Sequence, residues 1–150
     1  MIKVICIGKI KEHFFKEAVL EYQKRISKYT KLEIIELPDM AFDVKKILKE
    51  EYNSMMKYFN SSDYNVLLDI KGKEMDSMTF AKTIESIQIQ KSNITFFIGG
   101  SYGVLDELRE KVDLRLSFSK MTFPHQLFRI ILLEQIYRAY KINNHEEYHK

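Results

Sequence analysis

Three glycines set between a strand-like run and a helical one, Gly99, Gly100 and Gly103, are the first residues here whose type and spacing suit chemistry. Glycine at such a turn lets the backbone take positive φ and lets a ligand approach main-chain amides closely. The spacing is not the GxGxxG of a dinucleotide fingerprint, and the cluster comes too late in the chain for one. No Gly-Lys-Ser/Thr follows, so it is not a phosphate-binding P-loop either. Taken alone, these glycines read better as a tight turn with no ligand. The stretch Leu116 to Gln126 is more specific, because it joins a strand to a long helix without a glycine. It sets Phe118, Met121 and Phe123 among the hydroxyls of Ser117, Ser119 and Thr122. Lys71-Gly72-Lys73 is the third loop that could face a ligand. Glu134 and Arg138 stand four apart, the spacing of an ordinary helix ion pair.

The elements around these loops follow from hydrophobic periodicity. Ile2 to Ile7 reads as a strand buried on both faces and closed by Gly8. Apolar residues at helical spacing run from His13 to Tyr29. Leu32 to Leu37 reads as a strand, Asp43 caps a helix to about Phe59, and Tyr64 to Ile70 is a further buried strand. A helix from Asp76 or Ser77 to about Gln90 leads to a strand over Ile94 to Ile98. A short helix around Leu105 to Lys111 and a strand over Val112 to Phe118 follow. The last helix begins at Pro124, taken as the first helical position, and reaches about Ile142. Strands alternating with helices predict one α/β domain over residues 1–150, a mostly parallel sheet with helices on both faces. In such sheets ligands bind beyond the carboxyl ends of the strands, where the three loops lie.

No apolar run approaches the roughly 20 residues of a membrane span, and Met1-Ile2-Lys3 leads straight into the first strand rather than into a secretion signal. The single cysteine, Cys6, cannot form an intramolecular disulfide and reads as a buried thiol. These features predict a cytoplasmic protein with no membrane partner and no metal. The net charge of +3 is unevenly spread: residues 1–31 carry eight Lys or Arg and three Glu. That basic segment, with Tyr22 and Tyr29 among its lysines, could face phosphates or be an ordinary solvated helix face.

Several stretches together resemble the RlmH family of ribosomal RNA methyltransferases, within the SPOUT superfamily of knotted α/β proteins. They are Ile7-Gly8-Lys9 with Tyr22 to Tyr29, Ile98 to Gly103, Leu116 to Gln126, Glu134 to Ala139 and the ending Tyr148-His149-Lys150. The resemblance implies a trefoil knot in the C-terminal part and S-adenosyl-L-methionine as cofactor. It implies methylation at N3 of a pseudouridine in 23S ribosomal RNA, where the large-subunit helix meets the decoding region. The cofactor loops would be Leu68, Gly99 with Gly100, and Phe118, Ser119, Lys120, Met121, Thr122 and Phe123. Leu68, Phe118 and Met121 would wall the adenine while main-chain groups read its edge.

Methyl transfer from a sulfonium needs no covalent enzyme intermediate, but the N3 proton must be removed or its anion stabilised. His125, beside the last cofactor loop, is the candidate, since an imidazole titrates near neutrality. Arg129, one helical turn on, would hold a phosphate or the imide anion. In the family the tail reaches an active site, often the partner subunit's, so Tyr148 would stack, His149 would lie beside it and Lys150 would meet phosphate. The last helix is apolar nearly all round, which with the resemblance implies a homodimer.

The chain departs from the family between Pro38 and Tyr64, which is shorter and lacks a glycine near Tyr52, and at Met78 and His145. A catalytically weakened relative acting as an RNA- or ribosome-binding module is the alternative these differences leave open. A nicotinamide-binding Rossmann enzyme is disfavoured by the late, wrongly spaced glycines.

Overall fold

The computed structural model describes residues 1–41 and 43–150. Its strands are β1 (Ile2–Ile7), β2 (Leu32–Leu37), β3 (Tyr64–Glu74), β4 (Ile94–Ile98) and β5 (Leu114–Ser117). They alternate with α1 (His13–Ile26), α2 (Val44–Met56), α3 (Ser77–Gln90), α4 (Asp106–Lys111) and α5 (His125–Asn143). The sheet order is β2-β1-β4-β3-β5, with every neighbouring pair parallel.

Neighbouring residues of a strand point to opposite faces, so each buried strand feeds two cores. Val4 and Cys6 of β1 join the larger cluster with Ile26 of α1, Ile84 of α3 and Leu132, Leu133 and Ile136 of α5. Ile5 and Ile7 join Met55 of α2 and Leu108 of α4 on the other side. Helices cover both faces of a parallel sheet, as the alternating pattern predicts. Asp43 caps α2 by accepting from Lys46 N at 3.2 Å, and Asp76 caps α3 by accepting from Thr79 N at 2.7 Å.

Three boundaries differ from the expectation. The chain leaves α1 at Ile26, because Tyr29 turns aside to stack on Tyr140 at 5.6 Å. Pro124 is the cap rather than the first helical residue: its ψ of 133° is extended, and His125 opens α5. Lys71-Gly72-Lys73 falls inside the span of the third strand rather than after its end. Both Leu68 and Lys73 register with Leu116 of β5, so residues 69–72 loop out of the pairing and the strand then resumes. Gly72 is required there, since a Cβ would lie 2.6 Å from the carbonyl carbon and oxygen of Arg115.

At the exit of α5, His145 N donates to the Ile142 carbonyl at 3.1 Å and Glu146 N to that of Lys141 at 3.0 Å. This is a Schellman turn, and it puts His145 at φ 55°, a conformation that favours glycine. The turn sends the tail back along the helix. His145→Gly should relieve this strain and stabilise the protein by about 0.5–1 kcal/mol, read as a higher urea midpoint at unchanged slope.

Candidate active site

The carboxyl ends of β3, β4 and β5 open onto a cleft of about 280 Å³. Three segments distant in sequence line it: residues 68–70, the glycine turn from Ile98 to Val104, and the stretch from Leu116 to Phe123. His125 and Phe128 of α5 close the far wall.

The glycine turn is tight. Gly103 has φ +82° and its N donates to the Gly100 carbonyl at 3.1 Å. A Cβ on Gly99 would strike Val104 Cγ1 at 2.6 Å and the Gly103 oxygen at 2.9 Å, so this position excludes any side chain. The Leu116–Phe123 wall is folded by its own hydroxyls. Ser117 Oγ donates to the Ser119 carbonyl at 3.0 Å, and Ser119 Oγ accepts from Met121 N at 3.0 Å. Aromatic rings then tie this wall to the helices: Phe118 lies 5.2 Å from Phe128 and 6.2 Å from Phe80, and Phe123 stacks on Phe128 at 5.9 Å.

Of the residues named from the sequence, Leu68, Gly99, Gly100, Phe118, Ser119, Met121, Thr122, Phe123 and His125 all line the cleft. Lys120 does not; it is exposed beside it. His125 is half-buried and its imidazole forms no hydrogen bond to the described residues. The two charged residues of the cleft, Asp69 and Arg109, were not named from the sequence. Asp69, in the looped-out part of β3, pairs with Arg109 Nε at 3.0 Å, and Arg109 Nη1 also donates to the Val104 carbonyl at 3.0 Å and to Asp106 at 2.7 Å. This brace joins the β3 excursion to the glycine turn. Its members are 40 residues apart, so no local pattern could announce it.

Arg129 corrects the expectation most clearly. It shares a helix face with His125 only by spacing; its side chain is turned away from the cleft and 1% exposed. Nη1 pairs with Glu36 Oε2 at 2.7 Å and Nη2 donates to the Gly8 carbonyl at 3.0 Å. It is therefore held by β1 and β2 and cannot receive an anion in the cleft. Cys6 lies in the same interior, its thiol pushed up to about 12 by burial and bonded to the Ile35 carbonyl at 3.4 Å.

The tail packs on its own chain. Tyr148 donates to Glu134 Oε1 at 3.1 Å, lies edge-on to Tyr137 at 4.9 Å and sits under the Arg138 guanidinium at 4.7 Å. Burial and the Glu134 carboxylate push its phenol up to about 12. His149 Nδ1 lies 3.1 Å from Arg138 Nη1, while Lys150 is exposed. Within one chain, then, the tail docks on the C-terminal half of α5, and Tyr148, His149 and Lys150 are not among the residues lining the cleft. The Glu134–Arg138 pair forms as its spacing predicts, at 2.6 Å.

A parallel sheet with a ligand-sized cleft at its carboxyl edge, built from a glycine turn and a strand-to-helix wall, fits one family in particular. A family model described as "Predicted SPOUT methyltransferase" matches residues 1–149, and the chain belongs to that family. The RlmH-type resemblance extends over the whole chain. It is 49% identical to the ribosomal RNA large subunit methyltransferase H of Clostridium kluyveri and 46% identical to that of Clostridium perfringens, covering 99% of this chain and 99% of each relative. Among solved structures it is similar to "a probable methylase family protein" of Haemophilus influenzae, with a TM-score of 0.59 at 11% identity, over 99% of this chain and 70% of that one. That likeness concerns the fold alone.

No helix of the described residues is long and apolar enough to cross a membrane. Among the same residues no group of three or more His, Cys, Asp or Glu side chains is placed to hold a metal ion.

Removing Glu36 would leave the Arg129 charge buried without its carboxylate. Breaking such a pair costs about 3 kcal/mol, less here to the extent that water reaches the half-open Glu36 side. Glu36→Ala should therefore lower the unfolding free energy in urea by about 2 kcal/mol. An unchanged midpoint would show that the pair holds nothing in place.

Proposed function

We propose that this chain is a cytoplasmic, S-adenosylmethionine-dependent methyltransferase of 23S ribosomal RNA that acts at N3 of a pseudouridine. The observation that carries this reading is the meeting of three separate segments in one cleft, with an unpartnered His125 on its wall. The cleft is close in size to a small-molecule site: at about 280 Å³ it lies just below the roughly 300 Å³ at which such sites begin. Leu68, Leu116, Phe118 and Met121 offer apolar walls, and the glycine turn offers main-chain groups free of side chains. We place the knot of the family in these same three segments.

When bound, S-adenosylmethionine supplies an electrophilic methyl on its sulfonium. The protein's part is to position the acceptor nitrogen and take its proton. His125 has the right chemistry, and no protein partner ties its ring. Ile70 and Met121 of the cleft lining are large apolar side chains left exposed, as is Tyr102 of the glycine turn, and Lys71, Lys73 and Lys120 are exposed in the adjoining segments. A flat ring and unpaired cations are what a splayed nucleotide and its phosphates would meet. Arg129 has no role in this reading, because its guanidinium is buried against Glu36 and Gly8.

The test is to incubate the protein with labelled S-adenosylmethionine and large ribosomal subunits and to locate the methyl group by mass spectrometry of the rRNA. One cofactor should bind per chain. His125→Asn should keep cofactor affinity and lower methylation by roughly 10²-fold. Absence of cofactor binding, or an unmodified rRNA, would overturn the assignment.

The homodimer belongs to the same proposal. Leu127 and Ile131, one turn apart on α5, are half-buried yet belong to neither core cluster. Leu133 and Ile136, by contrast, are fully buried in their own chain. We take the Leu127–Ile131 strip as the surface a second copy would cover. Ile131→Glu should give a folded monomer in light scattering, whereas Leu133→Glu should unfold the chain. A wild-type monomer at micromolar concentration would remove the dimer from the proposal.

A further inference from the structure

Behind the glycine turn, on the face away from the cleft, α2 carries a carboxylic acid that nothing neutralises. Glu51 is 5% exposed, and its Oε1 has no hydrogen-bond partner among the described residues. It presses on the turn itself. A Cβ at Gly100 would stand 2.9 and 3.0 Å from the two Glu51 oxygens, so the carboxyl occupies the space a side chain at Gly100 would fill. Gly100 also lines the cleft, which makes it the shared wall between Glu51 and any bound ligand.

The charged surroundings make ionisation of Glu51 unfavourable. The segment after β2 contributes Asp39, a second acid, whose Oδ2 lies 2.9 Å from where a Cβ on Gly8 would be. From β1 comes the Ile7 side chain, from α4 Leu108, and from α2 itself Tyr52. Arg109, the nearest cation of α4, is turned to Asp69 and Asp106. Burial, with Asp39 adding to it, pushes the Glu51 carboxyl up to about 7.

We propose that Glu51 is a positioning residue: its uncharged carboxyl is the buttress on which the Gly99–Gly103 turn rests, and the cleft takes its cofactor only while that carboxyl holds its proton. An unpaired carboxylate in this place would draw in water or swing outward, and Gly100 would lose its support. The inference rests on the reading of the cleft as the S-adenosylmethionine site. Glu51 itself touches no ligand; it acts through Gly100.

The sign is set by linkage. If only the protonated form binds, cofactor affinity is full below about pH 7 and falls as pH rises through that value. The apparent Kd is the intrinsic one divided by the protonated fraction, so it should be about tenfold weaker at pH 8 than at pH 6. Glu51→Gln keeps the shape and the neutral amide, and should bind with little dependence on Glu51's titration across that range.

The experiment is calorimetry of S-adenosylmethionine binding to the full chain from about pH 6 to about pH 8.5, wild type against Glu51→Gln. A wild type whose affinity falls, beside a Gln variant whose affinity holds, supports the proposal. A Gln variant that follows the wild-type curve, or a wild type with flat affinity, overturns it. A wild type that binds at no pH overturns the functional reading instead. Should the variant fail to fold, carbon-13 NMR of the wild-type Glu51 carboxyl decides. Its midpoint should lie near 7 in the free protein and rise when cofactor is added; a midpoint in the ordinary carboxylate range, or one that cofactor does not move, overturns the proposal.

Discussion

The guanidinium of Arg129 is buried where α5 begins, and three parts of the chain converge on it. Glu36 Oε2 accepts both from Arg129 Nη1 at 2.7 Å and from Ile10 N at 2.9 Å, and the Gly8 carbonyl accepts from Nη2. One ion pair thus joins α5 to the carboxyl ends of β1 and β2. A charge withdrawn from water survives only with such partners, so α5 cannot slide or rotate without exposing it to a large desolvation cost. His125 and Phe128 lie on the same first turns of α5, and their place in the cleft wall follows from that anchor.

The far end of α5 is fixed differently, by rings and cations at the surface. Tyr29 stacks on Tyr140, Tyr137 touches Tyr22, Tyr29 and Tyr148, and Arg25, Arg138 and Lys141 lie over tyrosine faces. Each such contact is worth only about 0.5–1 kcal/mol where water has access. Together they bind α1, α5 and the tail into one patch. Part of the positive charge of the N-terminal segment is engaged here, with Arg25 also paired to Glu21, rather than left free for phosphates. Lys71, Lys73 and Lys120, by contrast, are exposed in segments that line or adjoin the cleft.

Cleft and buttress divide the work between the two faces of the sheet. The α5 side supplies the aromatic wall, and the α2–α4 side supplies Arg109 and Glu51, which hold the β3 excursion and the glycine turn from behind. Residues 69–72 leave the ladder with β5 and return to it, which an unbroken parallel pair would not allow. The excursion costs ladder bonds, and it is supported by Asp69, whose Oδ1 accepts from Lys71 N at 3.1 Å and whose Oδ2 meets Arg109.

The sequence by itself determined the order of the strands and helices, the Asp43 cap, a helix start at Asp76 or Ser77, and the two-faced burial of β1, each written in local spacing. Most residues of the cleft followed from the resemblance to the RlmH family, carried by stretches as specific as Leu116 to Gln126. What only the tertiary structure decided are relations between distant residues. His125 and Arg129 share a helix face by count, yet the arginine turns inward because Glu36 lies 93 residues away in sequence and beside it in space. Lys71-Gly72-Lys73 has the composition of a loop, and Gly72 does lie in the excursion from the ladder, but it fits against the Arg115 backbone and pairing with β5 resumes at Lys73. Tyr148 looks like a loose end until the left-handed turn at His145 returns it to Glu134. Glu51 resembles any helical glutamate, and only the fold puts it under Gly100 and beside Asp39. Local pattern fixes what a segment becomes; burial of a charge depends on which other segments surround it, and that is settled only when the sheet closes.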